Sequence, residues 1–244
     1  MIEEIFVTIL IGFAVGASLM ALGNRGVPVQ VASERWIKLV VYFLVVVTAL
    51  ACAAGGHFSM FVFVTLIVTL SAIELHGVSP SIRLGTGGQR TVIWVVFAAV
   101  SATAIALTPI LSPARWVYLY LLVAVFDGFS QVVGQLIGRR KLAPRISPTK
   151  TVEGAIGGLS ATVVVGLWFR ALHGPDLRVA LLLAVAIALA GLCGDLAASW
   201  VKRRAGIKDF GAILPGQGGV LDRFDSFLAA SAIIGPLIYF AGAA

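Results

Sequence analysis

Charge is what this sequence has least of. Only 12% of its 244 residues are Asp, Glu, Lys or Arg, against about 25% in soluble globular domains. Acids are the scarcer sign, 11 against 18 basic residues. A water-soluble globular domain is excluded on that count. Cysteine is nearly absent, and Cys52 and Cys193 both lie in apolar segments, which excludes a disulfide framework or a cysteine-based metal site. They read as small apolar residues. None of His57, His76 and His173 pairs with a plausible nucleophile, which argues against triad-type hydrolysis. No Walker A pattern occurs, and Gly85-Thr86-Gly87-Gly88 is a weak, isolated glycine cluster. The N-terminus, Met1-Ile2-Glu3-Glu4, lacks the basic stretch of a cleaved signal peptide, so the first apolar run is expected to persist as a helix.

What is present is hydrophobicity: 59% of the chain, with a mean hydropathy of +1.02. Crossing a bilayer takes about 20 apolar residues in a helix. Eight runs qualify as candidates, at 5–22, 36–54, 60–75, 91–110, 116–136, 152–171, 179–197 and 225–241. The expected fold is an all-α, polytopic integral membrane protein of about eight transmembrane helices. The net charge of +7 would suggest nucleic acid in a soluble chain, but its placement points elsewhere. With alternate loops on opposite sides, only Arg115, Arg170 and Arg178 of the 18 cations fall on one side. Basic residues concentrate on the cytoplasmic side, so both termini are expected to be non-cytoplasmic.

The chain divides by character at about residue 115. Residues 1–115 read as a four-helix membrane scaffold, with few acids and a Gly12-to-Gly16 spacing that lets helices approach closely. Glu74 and His76 end its third run. Residues 116–244 read as the catalytic half, with cytoplasmic loops at 138–151 and 199–224. Asp127, Gln131 and Gln135 share one face of the fifth helix; Asp195, Ser199 and Lys202 share one face of the seventh. Ionisable groups at membrane depth are costly and are functional candidates by default.

Two basic segments carry the chemistry. In GRRKLAPRISPTKTVEG (138–154), Pro144 and Pro148 enforce a structured loop, and Thr149 or Thr151 can cap the sixth helix. Glu153 falls in that helix's first turn. Ser147, Lys150 and Thr151 put hydroxyls and a cation at a helix N-terminus, a ready anion site. SWVKRRAGIKDFGAILPGQGGVLDRFD (199–225) interleaves Lys202, Arg203, Arg204, Lys208 and Arg223 with Asp209, Asp222 and Asp225. Gly216, Gly218 and Gly219 would expose backbone N–H groups to phosphate. Asp222 and Asp225 would present hard oxygen ligands of the kind Mg²⁺ takes together with substrate phosphates.

Ser199, Val201, Lys202-Arg203, Lys208-Asp209, Gly211, Leu214-Pro215, Gly218-Gly219 and Asp222-Arg223-Phe224-Asp225 resemble the signature of phosphatidate cytidylyltransferases. Asp127, the Gly138-to-Pro148 loop, Lys150-Thr151, Glu153-Gly154 and Gly194-Asp195 resemble that family too. The likeness covers residues 116–228, while the first four helices match only as a generic apolar scaffold. It implies transfer of CMP from CTP to phosphatidate, giving CDP-diacylglycerol and pyrophosphate in phospholipid biosynthesis. The charge sorting puts the site at the cytoplasmic face, and the chain's size with no targeting segment leads us to expect a bacterial inner membrane. The likeness also implies Mg²⁺ held by Asp195 and Asp222 with Asp225 and Asp127 beside them. Lys202, Arg203, Lys208 and Arg223 would hold phosphates, joined by Lys150 and Thr151. Ser147, Glu153, Ser199, Asp209, Gly218 and Gly219 complete the expected substrate-binding set. No general base is required, because the attacking phosphate is already ionised. A companion cation such as K⁺ and a homodimer stay open. Gln217 departs from the family, which usually has His there, and an amide can hydrogen-bond but not titrate. A CTP-dependent lipid (polyprenol-type) kinase and a membrane transporter are the competing readings.

Overall fold

The computed structural model describes residues 2–82, 87–173 and 176–241; Arg83 and the Gly85-Thr86 pair lie outside them. Long helices occupy every apolar run: α1 (Ile2–Gly23), α2 (Val29–Ala54), α3 (His57–Val78), α4 (Gly87–Leu107), α5 (Pro113–Ile137), α6 (Val152–His173), α7 (Leu177–Ala205) and α8 (Leu221–Ala241). The protein is an all-α integral membrane protein. Among the described residues, six helices are long and apolar enough to cross a bilayer, α2 to α7.

Local chemistry sets the boundaries. Pro113 opens α5, where its missing N–H costs nothing. The Asp176 carboxylate caps α7 by accepting the Arg178 N–H at 2.8 Å. Gly206, at φ +72°, ends α7 in the left-handed conformation, and the N–H of Ile207 closes onto the Lys202 carbonyl at 3.0 Å. Two helices run further than their apolar cores. α7 continues past residue 197 to carry Lys202, Arg203 and Arg204 in its last turn, where cations suit the helix dipole. α8 starts at Leu221, which places Asp222 in its first turn.

One segment departs from an all-helical plan. Residues expected as a loop form an antiparallel hairpin, β1 (Lys141–Ala143) with β2 (Ser147–Thr151), paired Lys141 to Thr151 and Ala143 to Ser147. Pro144 lies in the connection between the strands, and an edge strand accommodates the Pro148 that a central one would reject.

Small residues set the helix spacing, but not where the Gly12-to-Gly16 pattern indicated. A side-chain carbon on either of those glycines would meet nothing within 4 Å. The close approach lies between α5 and α6. A Cβ on Gly157 would sit 2.7 Å from Val133, one on Gly154 2.5 Å from the Ser130 carbonyl, and one on Gly158 inside the Ser130 side chain. Trp116, Tyr120, Phe224 and Phe227 pack ring on ring at the heart of the bundle. Large apolar side chains such as Phe58, Leu182 and Trp168 point outward, as they must when hydrocarbon is the solvent.

Candidate active site

The charged side chains converge where α5, α7, α8 and the hairpin meet. Lys150 on β2 forms an ion pair with Asp195 on α7, and Ser199, one turn further on, donates to Asp195 Oδ1 at 3.2 Å. Asp127 on α5 lies within the electrostatic field of Lys150, Asp195 and Arg223. Asp225 on α8 feels Asp195, Lys202, Asp127 and Arg223. Burial works against the charge of Lys150, yet the Asp195 and Asp127 carboxylates outweigh it and hold the ammonium above the usual lysine range.

Asp222, expected beside the metal, has both carboxylate oxygens engaged by the protein. Its Oδ1 accepts from Lys202 Nζ at 2.7 Å, and its Oδ2 accepts the N–H groups of Phe210 at 2.7 Å and Gly219 at 2.9 Å. The side chain is fully buried, so this is a structural clamp with both oxygens engaged. Two other carboxylate oxygens, Asp127 Oδ1 and Asp225 Oδ2, are closed off from solvent without a hydrogen-bond partner among the described residues. Arg223 Nε is in the same condition. Among the described residues, no three His, Cys, Asp or Glu side chains enclose a metal site by themselves. Mg²⁺ commonly takes one or two carboxylates and completes its shell with water and substrate phosphates, so the two oxygens of Asp127 and Asp225 are a donor set it could use.

Of the three glycine N–H groups expected to face phosphate, that of Gly219 is taken by the protein itself. Gly219 N–H goes to Asp222, and the Val220 and Leu221 N–H groups go to Glu74 Oε1 and Oε2 at 2.9 and 2.8 Å. Within the turn, Leu214 N–H bonds the Gly218 carbonyl and Gln217 N–H the Leu214 carbonyl, both at 2.9 Å. Gly216 and Gly218 adopt φ +70° and +84°, so glycine is needed there for the bend itself. Gln217 Nε2 donates to the Lys38 carbonyl on α2 at 2.6 Å, tying the turn to the first half of the chain.

The other expected site residues divide by role. The Thr151 hydroxyl caps α6 by accepting the Gly154 N–H at 3.1 Å. Glu153 reaches back to accept the Arg139 and Arg140 N–H groups at 3.0 and 3.1 Å. These two hold the hairpin, as does Arg203, whose Nε donates to the Ile146 carbonyl at 3.1 Å. Ser147 is buried in β2. Lys208 and Asp209 are exposed at the rim. Of the α5 stripe only Asp127 joins the cluster; Gln131 and Gln135 are exposed on the helix surface.

Sequence reasoning underrated two residues of the first half. Glu74 was assigned to scaffold, although a lone acid ending an apolar run at the level of the site was a usable signal. Tyr42, on α2, lies in the field of Asp127 and Arg223 and donates its hydroxyl to the Ala124 carbonyl at 2.8 Å. Nothing in its local sequence marked it.

Comparison with known proteins completes the description. The sequence profile of the Cytidylyltransferase family matches residues 3–241. Over 113 residues the chain is 47% identical to a phosphatidate cytidylyltransferase of Staphylococcus haemolyticus (strain JCSC1435). Over the same length it is 45% identical to that of Staphylococcus aureus (strain COL) and 44% to that of Staphylococcus epidermidis (strain ATCC 12228 / FDA PCI 1200). Each match covers 46% of this chain and 44% of the relative, so the chain spans less than half the length of the relatives it matches.

Proposed function

The chain belongs to the cytidylyltransferase family, and from that premise we propose that it transfers CMP from CTP to phosphatidate, producing CDP-diacylglycerol and pyrophosphate. The observation that carries this reading is the convergence of Asp127, Asp195 and Asp225 with Lys150, Lys202 and Arg223. CTP brings roughly four negative charges and a phosphomonoester about −1.5 to −2. Uniting them takes concentrated, fixed cations, and phosphoryl chemistry is mostly positioning and charge stabilisation.

In the proposed reaction a phosphate oxygen of phosphatidate attacks the α-phosphorus of CTP. The bond from that phosphorus to the bridging oxygen breaks, and its electron pair leaves with pyrophosphate. The attacking oxygen is already ionised, so no side chain has to remove a proton. Arg223, with its unpartnered Nε, and Lys150 both act on the clustered acids; Lys208, exposed at the rim, meets the incoming triphosphate. Asp127 and Asp225, with Asp195 beside them, are the residues that would hold Mg²⁺. When bound, that ion would neutralise phosphate charge and orient the triphosphate. Asp222 serves by holding Lys202 and the turn in place. The acyl chains would enter laterally between helices, with the site on the cytoplasmic side and eight helices crossing the membrane.

The test is product analysis with the purified full chain in detergent, Mg²⁺, phosphatidate and CTP labelled on the α-phosphate. Label in the lipid with equimolar pyrophosphate is the expected result. Labelled CDP released beside a newly phosphorylated lipid would mean γ-phosphoryl transfer and overturn the proposal, as would no turnover.

A further inference from the structure

Glu74 is a buried carboxylate, only 7% exposed, on a helix far in sequence from the catalytic signature. It accepts the first N–H groups of α8, those of Val220 and Leu221, across 146 and 147 residues of chain. A free helix N-terminus attracts anions; here the protein supplies its own. The turn is also shaped around this side chain. A Cβ on Gly219 would lie 2.5 Å from both Glu74 oxygens, and one on Gly211 would lie 2.5 Å from Oε1. The three nearest atoms at both positions all belong to Glu74. Neither glycine has a positive φ, so what a side chain there would cost is displacement of the Glu74 carboxylate from its two N–H partners, not backbone strain.

We infer that Glu74 is a positioning residue for the proposed transfer, setting the register of the first turn of α8, and that Gly211 and Gly219 are glycines to make room for it. The inference rests on the cytidylyl-transfer reading for its effect on rate. Arg223 lies on that turn and Asp225 opens the next, two and four residues beyond the Leu221 N–H that Glu74 holds. A misplacement of about 1 Å at reacting groups can cost about 10²-fold in rate.

The experiment is a double-mutant cycle in the full-length chain in detergent: Glu74→Ala, Gly219→Ala and the two combined. Each is measured for kcat and CTP KM, melting temperature and amide exchange at Val220 and Leu221. Glu74→Ala should lower kcat by about 10²-fold with CTP KM little changed, and should speed exchange at those two amides. Gly219→Ala should be similarly harmful alone, because its methyl enters the Glu74 carboxylate, yet add no further loss in kcat or melting temperature once Glu74 is alanine. Independent, multiplying effects of the two substitutions would overturn the inference, as would a wild-type kcat in Glu74→Ala. Melting and exchange need no turnover. A wild type that makes no CDP-lipid would therefore sink the activity while the cycle still judges the clamp.

Discussion

The Lys202 ammonium lies 2.7 Å from Asp222 Oδ1, joining the last turn of α7 to the first turn of α8 across 20 residues of sequence. Lys202 also stands over the Phe210 ring, 5.3 Å from its centre. The same Asp222 carboxylate gathers the Phe210 and Gly219 N–H groups, so one buried ion pair closes the whole intervening loop. Its geometry makes it a fixed strut, and its loss should be felt first as instability.

Replacing Lys202 by alanine would leave a fully buried carboxylate without its cation. Breaking a buried pair in this way costs about 3–5 kcal/mol. A large drop in melting temperature in detergent is expected, together with loss of transfer. An unchanged melting temperature would show that the pair does not hold the loop.

Asp225→Asn and Asp127→Asn remove charge from carboxylates that each carry one buried oxygen without a partner. Stability should hold or rise, since repulsion among neighbouring acids is relieved, while turnover falls steeply. The telling measurement is the Mg²⁺ concentration for half-maximal rate, expected to rise at least tenfold, or about 1.4 kcal/mol. The same dependence as wild type would remove these residues from the metal site.

Lys208 is exposed, and among the described residues no hydrogen bond or ion pair holds its side chain. Lys208→Ala should leave the melting temperature unchanged and raise the CTP KM about tenfold or more, the scale of a hydrogen bond to a charged group at about 1.5–3 kcal/mol. Nucleotide affinity equal to wild type would exclude Lys208 from triphosphate binding.

Gln217 acts through the Lys38 carbonyl and does not titrate. Gln217→Ala should cost about 1 kcal/mol of stability and scale the rate by one factor at every pH between about 6 and 8, the range in which a histidine would change charge. A change in the shape of the rate–pH profile would instead reveal proton chemistry at this position.

The bilayer as solvent made much of the fold readable in advance. Runs apolar on every side can be stable only as helices that satisfy their own backbone, so the helices stand where the runs stand. The signature charges were equally legible, because cations and acids in so apolar a chain are few and costly. What linear order could not show was which partner each would take. Asp222 and Asp225 look alike three residues apart, yet one is saturated by Lys202 and two N–H groups and the other is left with an unpartnered oxygen. Gly12 and Gly16 fit a packing pattern, yet among the described residues no atom lies within 4 Å of where a side chain would start, while Gly157 and Gly158 meet α5.

Sequence alone thus determined that the chain is a membrane bundle of the cytidylyltransferase family with a charged site in its second half. Tertiary structure decided the division of labour within that site, including the entry of Glu74 and Gln217 as ties between the halves. The reason is physical: hydropathy is a local property that each segment carries by itself. A hydrogen bond between residues 74 and 220 exists only once packing has brought α3 and α8 together.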